Sequence, residues 1–93
     1  MRILFYNHLE VIFLNVKDMV ARRFRKICAE RGIHTNELAN RAGVTPSTVY
    51  SMLDARRRDV SIVTIKKLCD GLEITLGEFF STPEFDALEQ EIR

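Results

Sequence analysis

Three residues, Gly43-Val44-Thr45, separate two short segments with helical apolar spacing, and this constrains the fold more than any other feature of the chain. Upstream, from Thr35 to just before Gly43, Leu38, Ala39 and Ala42 share one face. Downstream, Val49, Met52 and Leu53 recur at spacings of three and four. Thr45 suits an N-cap and Pro46 suits the first helical position. A link this short, containing Gly, fixes two helices at a steep angle. Ala39 is small enough to let another helix approach closely. The second of the two segments leaves Pro46, Ser47, Tyr50, Ser51 and Asp54 on its outer side.

The flanking sequence predicts three more helices. Val20, Phe24, Ile27 and Arg31 recur at spacings of four, three and four, with Met19 and Cys28 beside them, giving a first helix over residues 16–31. Arg22, Arg23, Arg25 and Lys26 cover the rest of its surface, and Gly32 ends it. Glu37 lies near the start of the second helix, where the dipole favours a carboxylate. Ser61 caps a fourth helix with Ile62, Ile65, Leu68, Cys69 and Leu72 on its apolar stripe. Thr75 caps a fifth, carrying Leu76, Phe79 and Phe80. Pro83 breaks the chain. Phe85, Leu88 and Ile92 then allow a short, acidic C-terminal helix. Phe79, Phe80, Phe85, Leu88 and Ile92 admit two roles, core or dimer interface, with the core favoured for the Phe79–Phe80 pair and the interface open to the last three.

Residues 1–16 admit three readings. Eleven of the sixteen are apolar. As a helix, the segment puts Phe5, Leu9, Ile12, Val16 and Val20 on one stripe. As a strand, its Ile, Val, Phe and Tyr are favourable, strict alternation fails, and a partner strand is needed, which a symmetry mate could supply. As an extension, it precedes a biological start near Val16 or Met19. A membrane span needs ~20 predominantly apolar residues, and this run is interrupted by Asn7, His8 and Glu10. No signal-peptide pattern is present, so the expected location is cytoplasmic.

Ninety-three residues bound the chain to one small domain. We divide it into an apolar extension over 1–16, a helical domain over 17–82 and an acidic helix or tail over 83–93. Cys28 and Cys69 are too few for a disulfide scaffold and fall on apolar stripes, so both are expected as buried structural thiols. His8 and His34 lack zinc-ligand spacing and a nucleophile partner, and no Gly-rich phosphate loop is present. The expectation is therefore a chain that is not an enzyme, with no metal, cofactor or small-molecule substrate. The net charge of +1 conceals a division: residues 17–60 carry ten Lys/Arg against five Asp/Glu, and residues 61–93 three against seven. Such asymmetry suggests that one part meets a polyanion.

The stretch TNELANRAGVTPSTVYSMLDARRR, residues 35–58, resembles the helix-turn-helix of the phage-repressor (Cro/XRE-type) DNA-binding family. Its landmarks are Leu38-Ala39, Gly43-Val44-Thr45, Val49 and Met52. The later SIVTIKKLCDGLEITLGEFF resembles that family's fourth and fifth helices, so the likeness covers about residues 17–80. It implies an all-α, five-helix bundle that binds duplex DNA, usually as a two-fold dimer, with helix three in the major groove. By residue matching, Thr45, Pro46, Ser47, Tyr50 and Ser51 face DNA, and Thr35 takes the place of a phosphate-holding Gln. Three departures stand out. His34 replaces a Thr cap, so the cap is expected to shift to Thr35. Ala55 and Glu73 replace glycines that favour positive φ, so local strain or altered loops are expected.

Ser47 and Ser51 lie four apart on one face, and their hydroxyls donate or accept without strong base preference. Tyr50 would stack on sugar or touch a thymine methyl. The helix lacks Gln, Asn and Arg, which read bases bidentately, so selectivity is expected to be modest, water-mediated or shape-based. Arg56, Arg57 and Arg58 would neutralise phosphates, with Arg41 a weaker candidate. These residues predict a small transcriptional regulator binding operator DNA as a homodimer. The alternative is a protein-interaction module, such as an antitoxin-like accessory subunit.

Overall fold

The computed structural model describes residues 4–7, 10–13 and 15–88. Two strands, β1 (Leu4–Asn7) and β2 (Glu10–Phe13), precede six helices. These are α1 (Val16–Arg31), α2 (Thr35–Ala42), α3 (Pro46–Leu53), α4 (Ile62–Gly71), α5 (Leu76–Phe80) and α6 (Pro83–Asp86). The fold is mostly helical.

The opening segment takes the strand reading and not the helical one. β1 and β2 pair antiparallel, Leu4 opposite Phe13 and Asn7 opposite Glu10. Each strand's partner is therefore the other, so the partner strand that the sequence required comes from the same chain and not from a symmetry mate. The register pairs Leu4 with Phe13, Phe5 with Ile12 and Tyr6 with Val11, so successive positions in both strands are apolar and strict alternation fails.

Local capping explains the helix starts. The Thr45 hydroxyl accepts from the Thr48 N–H, and the Ser61 hydroxyl from the Thr64 N–H. Thr75 and Glu78 form a reciprocal capping box. Asn15, which the sequence reading passed over, caps α1 by accepting from the Asp18 N–H at 2.8 Å. At α2 the expected shift of the cap does not occur. His34 occupies the N-cap without a side-chain bond, and Thr35 is the first helical residue.

Three helix ends share one device. Gly32 and Gly43 take left-handed backbone after α1 and α2. Glu73 does the same after α4, at φ 59°. There the Ile74 N–H reaches the Cys69 carbonyl and the Glu73 N–H the Asp70 carbonyl, a Schellman turn with a glutamate where glycine is favoured. Ala55 has no positive φ, so the strain expected there is absent. Instead the Asp54 carboxylate accepts from the Arg56 N–H, and the Arg57 N–H closes onto the Asp54 carbonyl, giving an Asp-initiated turn.

The core gathers Val20 and Phe24 of α1, Leu38 and Ala39 of α2, and Val49 and Met52 of α3. Ile65, Leu68 and Cys69 of α4 and Phe79 of α5 complete it. Phe24 and Phe79 stack with centroids 4.4 Å apart. Of its two open roles Phe85 takes the core one: its ring lies 4.9 Å from that of Phe80 and 5.9 Å from that of Phe79, half-buried against the core. The last helix is a single turn, and Ile92 lies outside the described residues. Ile62 was expected inward and is 59% exposed. Cys69 is fully buried, and burial pushes its thiol up to about 11; Cys28 is half-buried and also raised by burial.

α2 and α4 approach at Gly71, where a Cβ would lie 2.8 Å from the Ala42 backbone nitrogen. The neighbour there is backbone and cannot rotate away. Gly71→Ala should therefore lower unfolding free energy by roughly 1–3 kcal/mol. Glu73→Gly should raise it by about 1 kcal/mol, because glycine adopts the left-handed conformation without a Cβ clash. Urea unfolding of both variants measures the two shifts; changes of the same sign would contradict this account.

Candidate nucleic-acid interface

The turn Gly43-Val44-Thr45 holds α3 across α2. The Val44 N–H bonds back to the Ala39 carbonyl, fixing the path into the turn. Val49 and Met52 are buried beneath α3, so its opposite side faces outward. Thr45, Pro46 and Ser47 are exposed, and Tyr50 is 55% exposed. Ser51 is half-buried, as is Thr35 at the start of α2. The sequence-predicted outer residues therefore share the region around α3, with Ser51 more covered than its spacing suggested.

Hydroxyls cluster at the start of α3. Thr45 Oγ1 lies 3.1 Å from Ser47 Oγ and 3.0 Å from Thr48 Oγ1. Thr48 was not singled out from the sequence, although it lies three residues after the Thr45 cap and its N–H donates to that cap. A shallow depression of about 250 Å³ between α3 and α4 joins Thr48 and Ser51 to Arg57, Ser61 and Thr64. Ser61 and Thr64 read locally as a helix start; their nearness to Ser51 is tertiary.

The three consecutive arginines are exposed but not equivalent. Arg56 forms a two-pronged pair with Asp54, with nitrogen–oxygen distances of 3.1 and 3.0 Å. These side-chain bonds, with the Arg56 N–H, hold the Asp54 carboxyl at about 2, well below the usual carboxylate range. The Arg57 and Arg58 guanidinium groups form no ion pair with another described residue. Arg41 pairs with Glu37 at 2.7 Å, an exposed pair one helical turn apart.

Arg23 and Arg25, placed on the surface of α1 by their spacing, join Lys17 and Arg31 in bonding the carbonyls of other helices. Lys17 Nζ donates to the Asp54 carbonyl at 2.5 Å, and Arg25 to the Leu53 carbonyl at 3.1 Å. Arg31 donates to the Leu72 carbonyl at 2.5 Å. Arg23 donates to the Phe79 and Glu78 carbonyls and sits over the Phe79 ring, 5.6 Å from its centroid. Each acceptor lies at the C-terminal end of α3, α4 or α5. Sequence reasoning missed Lys17 although it lies three and four residues before Val20 and Ala21 on the buried stripe. A lysine on an apolar stripe is the signal that was available.

Among the described residues, no cluster of His, Cys, Asp or Glu is placed to hold a metal. No described helix is long and apolar enough to cross a membrane.

The chain is similar to the prophage Lp1 protein 11, known from a crystal structure, at 28% identity and a TM-score of 0.70. That likeness covers 77% of this chain and 95% of the other. No curated protein matches. Residues 23–84 match the Cro/C1-type HTH DNA-binding domain, a span that includes the α2–turn–α3 unit and most of the core packed beneath it. The chain belongs to the Cro/C1-type helix-turn-helix DNA-binding family.

Proposed function

We propose that this protein is a transcriptional regulator that places α3 in the major groove of operator DNA and represses as a homodimer in the cytoplasm. The observation that carries the reading is the outward side of α3. Thr45, Pro46, Ser47 and Tyr50 stand exposed on a helix whose other side is buried, followed by the Arg57 and Arg58 guanidinium groups, which form no ion pair with another described residue. A short polar helix of this kind brings hydroxyls to base edges and phosphates at close range. Ser51 contributes from its half-buried position, and Thr35 holds a phosphate from the start of α2. Arg56, Arg57 and Arg58 neutralise phosphates beside the groove.

A homodimer fits a two-fold operator. Each strand of the two-stranded hairpin has an outer edge, and such edges pair readily with another chain. The rival reading, a protein-interaction module, draws on exposed Val16, Ile62 and Val63.

A gel shift with random duplex at low salt separates the two. Binding at micromolar protein is expected, and no shift would favour the protein-interaction module. Replacing all three arginines by alanine should weaken binding on every sequence and shallow the salt dependence. Arg57→Ala and Arg58→Ala should each reduce the slope of log K against log salt by ~0.9. Arg56→Ala should reduce it less, because Asp54 already competes for that guanidinium. Three equal slope changes would count against the Asp54–Arg56 pairing on DNA. Sedimentation on an inverted-repeat duplex should find two copies per duplex, and a single copy would overturn the dimer.

A further inference from the structure

We infer that Lys17 and Arg25 of α1 are positioning residues for DNA recognition, fixing the direction of α3 by gripping its C-terminal carbonyls. The inference rests on the DNA-binding reading above. α3 is eight residues long, too short to hold its own shape in water. Its first turn is fixed by the Thr45 cap and the three-residue turn from α2. Its last turn has no left-handed cap of the kind that closes α1 and α2; Asp54 is extended, at φ −73° and ψ 115°. The Leu53 and Asp54 carbonyls are instead bonded from α1, at 3.1 Å by Arg25 and 2.5 Å by Lys17.

The position of Lys17 is informative in its own right. It lies in the first turn of α1, where the helix dipole disfavours a cation, and it is only 4% exposed. Both placements are unfavourable for a lysine considered on its own helix. Both are accounted for at the end of α3, where the dipole favours positive charge and a carbonyl accepts the bond. Asp54 also holds Arg56, so the same grip sets where the arginine run begins. A binding element must be held to a fraction of an ångström to read its target, so residues that touch no DNA can govern discrimination.

The test uses the full chain and two probes: the duplex that the wild-type chain enriches from a random pool, and a random-sequence duplex. Lys17→Met keeps much of the side-chain volume and removes the donor. It should weaken binding to the enriched duplex about tenfold and to the random duplex by about twofold or less. Its salt slope should match wild type, since buried Lys17 meets no phosphate. Arg31→Met is the control: it removes the corresponding bond at the end of α4, so it should lower the unfolding midpoint but leave the ratio of the two affinities unchanged. Arg25→Gln, at an exposed position, serves if Lys17→Met does not fold, with a ratio loss of about threefold expected. An unchanged ratio in the folded Lys17 or Arg25 variant overturns the inference, as does an equal collapse in Arg31→Met. A wild-type chain that enriches no duplex fails at the earlier step, overturning the DNA reading and this inference with it.

Discussion

Helix C-termini leave carbonyls without partners, and this molecule answers three of them from a single helix. Lys17 and Arg25 serve α3, Arg31 serves α4, and Arg23 serves α5. A cation beside such an end contributes about 0.3–1 kcal/mol when exposed and up to ~2 kcal/mol when partly buried. Each bond also ties a distant part of the chain to α1, with 28 to 56 residues of separation. α1 therefore acts as the frame on which the shorter helices are aligned. Below these bonds, Phe24 meets Phe79 and the α2–α4 contact closes at Gly71, so apolar packing and carbonyl capping select the same arrangement.

This arrangement changes the meaning of the chain's charge. Residues 17–60 are basic by sequence, yet several of those cations are committed within the protein. Lys17, Arg23, Arg25 and Arg31 hold carbonyls, Arg41 holds Glu37, and Arg56 holds Asp54. The proposed DNA surface thus rests less on overall positive charge than on where Arg57 and Arg58 stand beside α3. Its weak base-reading chemistry, built from hydroxyls and a tyrosine, makes the precise direction of α3 more consequential, because hydroxyls discriminate by placement and not by a fixed donor pattern.

Helix starts were legible because caps act within four residues. Thr45-Pro46, Ser61 and Thr75 each announce a helix in the sequence, and the structure opens one after each. The apolar stripes were legible for the same reason, since period and burial coincide along α1 to α4. The strand pair was hidden because successive apolar residues in both strands break the alternation that marks a half-buried strand. Ile62 misled because it lies in the first turn of α4, where the helix emerges from the core. The outward residues of α3 were readable from spacing, and the Thr45–Thr48 contact lay within a cap's reach, whereas the depression shared with Ser61 and Thr64 was not readable.

The sequence alone determined where α3, α4 and α5 begin, which faces are apolar, and that a three-residue turn joins α2 to α3, because these depend on interactions a few residues apart. Only the tertiary structure decided which cations remain available to a partner, that Lys17 is buried at another helix's end, and that Glu73 carries the left-handed turn. A long side chain finds its partner by proximity in space, and nothing in local spacing tells Lys17 that the end of α3 will lie beside it.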